Sequence, residues 1–211
     1  MTPAQNIGLR AGVRFGPPIL GFVDMKSLVP DETLWNIDPG SDCPRVVLMV
    51  VEVPKNSSNK YEYDPDLRLF KLDRPLYSPM HFPGDYGFIP GTLSEDDEPI
   101  DVLALVEEPS FPGCVYRVRP VAMMDVIEES KHDRKILAVP ERSPRHEEIR
   151  GLEDVAPHIL TETEHFLKIY KELESTPSQI EGWRDARAAH TAIEESRGRY
   201  TKLREAESRA R

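Results

Sequence analysis

Between residues 95 and 101 the chain reads EDDEPID, crowding Glu95, Asp96, Asp97, Glu98 and Asp101 against the apolar run that follows. Asp96, Glu98 and Asp101 are spaced around Pro99 so that a single turn can aim three carboxylates at one point. Carboxylate oxygens gathered in this way suit a hard divalent cation. A solvated acidic turn explains the same composition, and spacing alone does not choose between the two. An EF-hand fits poorly, because the loop lacks the glycine and the terminal glutamate of that motif.

A second set of polar residues sits in or beside apolar strand pattern. Glu52 interrupts VVEVP, Lys60 and Glu62 alternate in NKYEYD, and Arg74 lies in KLDRPLYSP. Asp133 and Lys135 open KHDRKILAVP, and Tyr170 and Lys171 end HFLKIYK. Each alone reads as a surface charge. Gathered at the mouth of a barrel, the carboxylates would hold metals while Lys, Arg and Tyr met phosphate oxygens.

The elements that must position these groups follow from periodicity. RVVLMVVEV (45–53) is a β-branched apolar run, and RLFKL (68–72), IDVLALV (100–106), VYRVRPVA (115–122) and KILAV (135–139) are further strand candidates. Several short strands between turn-rich pieces predict a barrel. From Thr161 the pattern turns helical, with Phe166, Ile169, Tyr170 and Leu173 on one face and Thr161 with Glu164 matching a capping box. A second helical stretch is expected over 178–208, with Ile180, Trp183, Ala186 and Ile193 at helical spacing before a highly charged end. Three regions result: a Pro/Gly-rich arm (1–44), a barrel domain (45–183) and a charged C-terminal helix or tail (184–211).

With 37 acidic against 27 basic side chains, the 211-residue chain carries a net charge of −10, which disfavours general binding to nucleic acid or an anionic membrane. A nucleic-acid-binding barrel should also show basic strands with exposed aromatics, and aromatics are only 8% of residues. No run reaches the roughly 18 apolar residues of a membrane-spanning helix. Cys43 and Cys114 are too few for a disulfide scaffold and fit a reducing, cytoplasmic setting. Arg10 and Arg14 ahead of the first acid give only a faint likeness to a transit peptide.

Over about residues 45 to 183 the sequence resembles the family I soluble inorganic pyrophosphatases. The segments carrying the likeness are VEVPKNSSNKYEYD, KLDRPLYSPMHFPGDYGFIPGTLSEDDEPIDVLALVEEP, PGCVYRVRPV, HDRKILAVP, HFLKIYKELE and EGW, in that order. The resemblance implies an OB-like five-stranded β-barrel with flanking helices, Mg²⁺ dependence with Mn²⁺ as an alternative, and hydrolysis of pyrophosphate to two orthophosphates. It implies Asp96, Asp101 and Asp133 as metal ligands supported by Glu52. Lys60, Arg74, Tyr86, Lys135, Tyr170 and Lys171 would bind or polarise the phosphates, and Glu62 would orient them. Glu98, Asp101, Lys60, Arg74 and Tyr86 would act directly at the reacting centre. A homo-oligomer, hexamer or dimer, is expected as well, with His165 at an interface-like position.

The chain departs from the family pattern at several positions. Glu98 stands at the middle acidic position of a loop that usually reads Asp-x-Asp-x-x-Asp, where the family residue holds or deprotonates the attacking water. Glu128 replaces a usual metal-binding Asp, Lys131 and His132 replace common Gly and Glu, and Phe82 replaces a frequent Tyr. Each Glu keeps charge and ligand type while reaching roughly 1.5 Å further. These substitutions also suit a second reading, a non-catalytic relative that binds pyrophosphate or metal without turnover.

Overall fold

The computed structural model describes residues 33–128, 131–174 and 178–210, with the backbone alone at Glu128 and Lys131. Residues 1–32, which hold most of the Pro/Gly-rich arm with Arg10 and Arg14, lie outside the described residues. The strands are β1 Val47–Val53, β2 Asn59–Asp64, β3 Leu69–Pro75, β4 Asp85–Phe88, β5 Asp101–Ala104, β6 Val115–Glu128, β7 Lys131–Pro140 and β8 Gln179–Asp185. Among the described residues two α-helices, α1 Pro157–Ile169 and α2 Ala186–Ala210, flank them.

The main sheet runs β1-β4-β5-β7-β6-β8, and a further β1–β6 pairing closes its first five members into a ring. Among the described strands only β5 and β7 pair in parallel. The result is the expected OB-like five-stranded barrel, with β8 added outside the ring on β6 and β2–β3 forming a separate hairpin. Strand alternation explains the near-continuous apolar runs, because both faces are covered. Val47, Met49 and Val51 of β1, Val102 and Ala104 of β5 and Ile136 and Ala138 of β7 pack with Ala189, Ala192 and Ile193 of α2. The alternate residues Leu103, Leu137 and Val139 pack instead with Phe166, Leu167 and Tyr170 beneath α1, and Val53 joins them past the irregularity between Val51 and Val53.

Three elements differ from the sequence expectation. RLFKL is a strand, but it belongs to the hairpin; the fifth barrel strand is β4, whose four residues DYGF are too short and too Gly- and Asp-bearing to signal. The stretch expected as one helix from residue 178 begins as β8. A bulge opposite Asp125 and Val126, with Gly182 at φ +116°, shifts strand parity, so Ile180 and Trp183 share a buried face three residues apart. A bulge thus mimics helical spacing. Finally, α1 starts one turn early, with Pro157 in its first turn after Ala156, and the Thr161 hydroxyl donates to the Pro157 carbonyl rather than capping. At its other end the helix gives way to a 3₁₀ turn over Glu172–Glu174, which leaves Leu173 exposed.

Two sets of hydrogen bonds fix the loops around the barrel mouth. Asp85, wholly buried, accepts from the Lys55 and Ser110 amides and the Tyr116 hydroxyl, tying β4 to the chain after β1 and before β6. On the acidic loop, the Thr92 hydroxyl donates to the Ile89 carbonyl and accepts from the Ile100 amide, while Arg199 and the Ser196 carbonyl of α2 hold the backbone of Leu93. Upstream, Trp35 and Leu34 pack against Val50, Tyr63 and Phe88.

Gly87 is required by close approach: a Cβ there would stand 2.0 Å from the Val50 carbonyl oxygen and 2.9 Å from the Glu52 nitrogen. Gly87→Ala must push β4 off β1 and should cost about 3 kcal/mol of stability. The check is a lowered denaturant midpoint at unchanged m-value.

Candidate active site

The charged residues converge because five separate pieces of chain meet at one end of the barrel. A cavity of about 280 Å³ is walled by Glu52 from β1, Lys60 and Glu62 from β2, Asp96, Glu98 and Asp101 from the acidic loop, Asp133 and Lys135 from β7, and Tyr170 and Lys171 after α1. Tyr86 from β4 completes it. On β7, Asp133 and Lys135 are two residues apart and so face the same way. The parallel pairing of Val102 with Ile136 then brings the start of β5, and hence Asp101, alongside them.

Lys135 is the hub. Its Nζ lies 2.7 Å from Asp101 Oδ2 and 2.6 Å from Asp133 Oδ2, donates to the Tyr86 hydroxyl at 3.1 Å, and its side chain is only 4% exposed. Burial opposes the ammonium charge, but the two carboxylates overcome it and hold the pKa well above the ordinary lysine value. The Tyr86 hydroxyl donates to Asp101 at 2.5 Å, and burial together with Asp101 raises its own pKa. Both phenols are set by a column of rings: Tyr86 on Phe82 at 5.5 Å, Phe82 on Phe166 at 4.9 Å, and Phe166 stacked on Tyr170 at 5.2 Å. Phe82, 1% exposed, therefore works through packing where a tyrosine would add a hydroxyl.

The acidic loop divides its charges. Asp96, Glu98 and Asp101 line the cavity, Asp96 and Glu98 from its exposed edge, while the equally exposed Glu95 and Asp97 do not, Asp97 with φ +71° at the turn. Burial raises the Glu98 pKa, and the nearby Asp101 and Asp96 raise it further. Glu52 is pushed up to about 8, chiefly by burial, although the Tyr63 amide donates to it at 2.8 Å. Across the cavity Lys60 pairs with Glu62 at 2.7 Å.

One expected residue is placed differently, and the side chain of a second lies outside the described residues. Arg74 is opposite Lys60 in the hairpin register but does not line the cavity; its guanidinium is held by Asp73 and, at 2.5 Å, by Glu174. The backbone of Glu128 ends β6 in register with Lys131. His132 is exposed beside this hairpin end. Sequence reasoning missed Asp64, Asp66, Lys71 and Trp35, all of which line the cavity. The alternation of Lys60 and Glu62 extends to Asp64, and cross-strand pairing of Glu62 with Lys71 supplies another cation. That signal was available once β2 was read as a strand.

Among the described residues, no group of three histidine, cysteine, aspartate or glutamate side chains stands close enough to hold a metal ion. Of the expected set Glu52, Asp96, Glu98, Asp101, Glu128 and Asp133, the side chain of Glu128 lies outside the described residues, and the Lys135 ammonium bridges Asp101 and Asp133. The donor chemistry nevertheless fits hard cations: the metal-binding atoms lining the cavity are carboxylate oxygens, without thiol or imidazole. Eight acids against four lysines line the cavity, and the nearby acids add to burial in raising the proton affinities of Glu52 and Glu98.

Residues 49–201 match the family described as inorganic pyrophosphatase. An inorganic pyrophosphatase of Nostoc sp. is 43% identical over 158 residues, covering 75% of this chain and 94% of its own. That of Methanosarcina mazei is 45% identical over 157 residues, covering 74% and 93%. The crystal structure of inorganic pyrophosphatase from Thermus thermophilus superposes with a TM-score of 0.79 at 41% identity, covering 80% of this chain and 99% of that one.

The Glu52 environment sets a pH dependence. Between its ordinary 4.5 and about 8, the folded chain keeps a proton that the unfolded chain has lost, so this residue subtracts stability as pH rises through that window. Glu52→Gln keeps an acceptor for the Tyr63 amide and removes the effect. In chelator, its stability advantage over the parent should grow by about 1.4 kcal/mol per pH unit from pH ~5 to ~8, read by denaturant unfolding at each pH.

Proposed function

The chain belongs to the family I soluble inorganic pyrophosphatases and is an inorganic diphosphatase; from that premise we propose that it splits pyrophosphate into two orthophosphates with Mg²⁺, using the side chains gathered in the cavity. The observation that carries this reading is the convergence of Lys60, Lys135, Lys171 and Tyr86 with Asp96, Glu98, Asp101 and Asp133 around one small cavity. Pyrophosphate offers almost no apolar surface, so recognition has to be electrostatic. Lys60, Lys135, Lys171, Tyr86 and Tyr170 meet phosphoryl oxygens, Arg74 acts from the rim, and Glu62 orients Lys60.

Family I pyrophosphatases are metal-dependent. Asp96, Asp101 and Asp133 are the residues that would hold the cations, with Glu52, Glu98 and Glu128 adding charge around them. Bound divalent cations supply a lowered water pKa and charge relief on the phosphate oxygens. Glu98 and Asp101 orient the attacking water, and Glu98, whose proton affinity is raised, accepts its proton. The water oxygen bonds to one phosphorus as the bridging P–O bond breaks, and the second phosphate departs with the bond's electrons. Lys135 keeps Asp101 aimed throughout.

The relatives are named for hydrolysis, which sets the catalytic reading ahead of the non-catalytic one. No described helix is long and apolar enough to cross a membrane. We place the protein in the cytoplasm as a homo-oligomer, hexamer or dimer, with residues 45–183 as the catalytic unit between the N-terminal arm and the charged C-terminal helix.

Phosphate release from pyrophosphate should require a divalent cation and stop in chelator. Asp101→Asn removes a charged ligand and a partner of Lys135, and should lower turnover by about a hundredfold or more. Parent-like activity in that variant would refute the assignment of Asp101. If Glu98 and Glu128 are lengthened in concert, Glu98→Asp alone should lower turnover and the double change with Glu128→Asp should restore it. A four-form cycle of turnover against Mg²⁺ concentration reads this coupling, and additive effects would reject it.

A further inference from the structure

We infer that Glu174 is a positioning residue for Arg74, fixing its guanidinium beside Lys60 at the rim of the cavity, an inference that rests on the pyrophosphatase reading above. The side chains are shielded, 20% exposed for Arg74 and 13% for Glu174, so the pair is not a loose surface contact. Arg74 also binds Asp73, its neighbour on β3. That contact moves with the strand and cannot register the arginine against anything else. Glu174 comes from a different element, the 3₁₀ turn that follows Tyr170 and Lys171, and its amide donates to the Lys171 carbonyl. One ion pair therefore sets the separation between two cations on separate pieces of chain, Arg74 on the hairpin and Lys171 beyond α1.

The contact geometry argues for more than stability. The pair meets through Nη2 and Oε2, while Arg74 Nε and Glu174 Oε1 are both buried without a hydrogen-bond partner among the described residues. A pair serving stability alone would close a two-point fork, since buried unpaired polar atoms are costly. Both stranded atoms are shielded from solvent, so the single contact holds the guanidinium in place at a cost in stability.

The test is a cycle in the full-length chain with pyrophosphate and Mg²⁺, comparing the parent, Glu174→Ala, Glu174→Gln, Arg74→Ala and the two doubles. Glu174→Ala should raise KM about tenfold with kcat within about threefold, Glu174→Gln should raise it about threefold, and neither should add to Arg74→Ala. An equal KM factor in both backgrounds, or an unchanged KM in the parent background, would overturn the inference. Should Glu174→Ala fail to fold, the Glu174→Gln arm decides by the same rule. A parent without hydrolysis would count against the pyrophosphatase reading separately, and the same cycle would then be read as pyrophosphate Kd by calorimetry.

Discussion

Burying several carboxylates at the end of an apolar barrel is tolerable only if positive charge is buried with them, and in this fold that charge is the Lys135 ammonium. Unpaired, either Asp101 or Asp133 would be strongly destabilising in so shielded a place. The lysine reaches both because β5 and β7 are parallel neighbours, the one parallel pairing among the described strands. The register of that pair is therefore an electrostatic requirement as much as a packing one. Slipping it by one residue would turn Lys135 into the apolar layer and leave two acids facing each other.

Around that hub the site is assembled from pieces that have little to do with one another in sequence. The aromatic column from Tyr86 through Phe82 and Phe166 to Tyr170 links the barrel to α1 and places two phenols on the cavity wall. From the other side, α2 grips Leu93 at the root of the acidic loop, so a helix with a solvated, charged far end helps aim Asp96 and Glu98. The hairpin adds a charged strand face of Lys60, Glu62 and Asp64. Rigid elements thus carry most of the charged groups, which suits a reaction where positioning and electrostatics supply nearly all of the catalysis.

The same electrostatic balance explains why the cavity looks cation-hungry. Glu52 and Glu98 hold protons more tightly than ordinary glutamates because burial and neighbouring acids disfavour their charged forms. A site that binds a tetra-anionic substrate through lysines while keeping this many carboxylates is consistent only if further positive charge joins them. Hard, oxygen-liking divalent cations answer that need.

How much of this was legible in the chain differs from residue to residue. The strands buried on both faces announced themselves, because two covered faces leave no polar alternation and yield runs such as VVLMVV and ILAV. The acids and lysines stood out for the complementary reason, that charge beside such runs is costly unless used, and the ordered segments carried a family likeness across the barrel. Local pattern could not show that β4 rather than β3 completes the ring, since four residues carry too little periodicity. Nor could it show that a bulge at Gly182 disguises β8 as helix, because the disguise lies in parity shifted by a partner strand. Which acids of EDDEPID line the cavity, and that Arg74 is held by Glu174 at its rim, were decided by tertiary structure alone. Side-chain partners there come from elements distant in sequence, and pairing energy depends on burial and distance that no local spacing encodes.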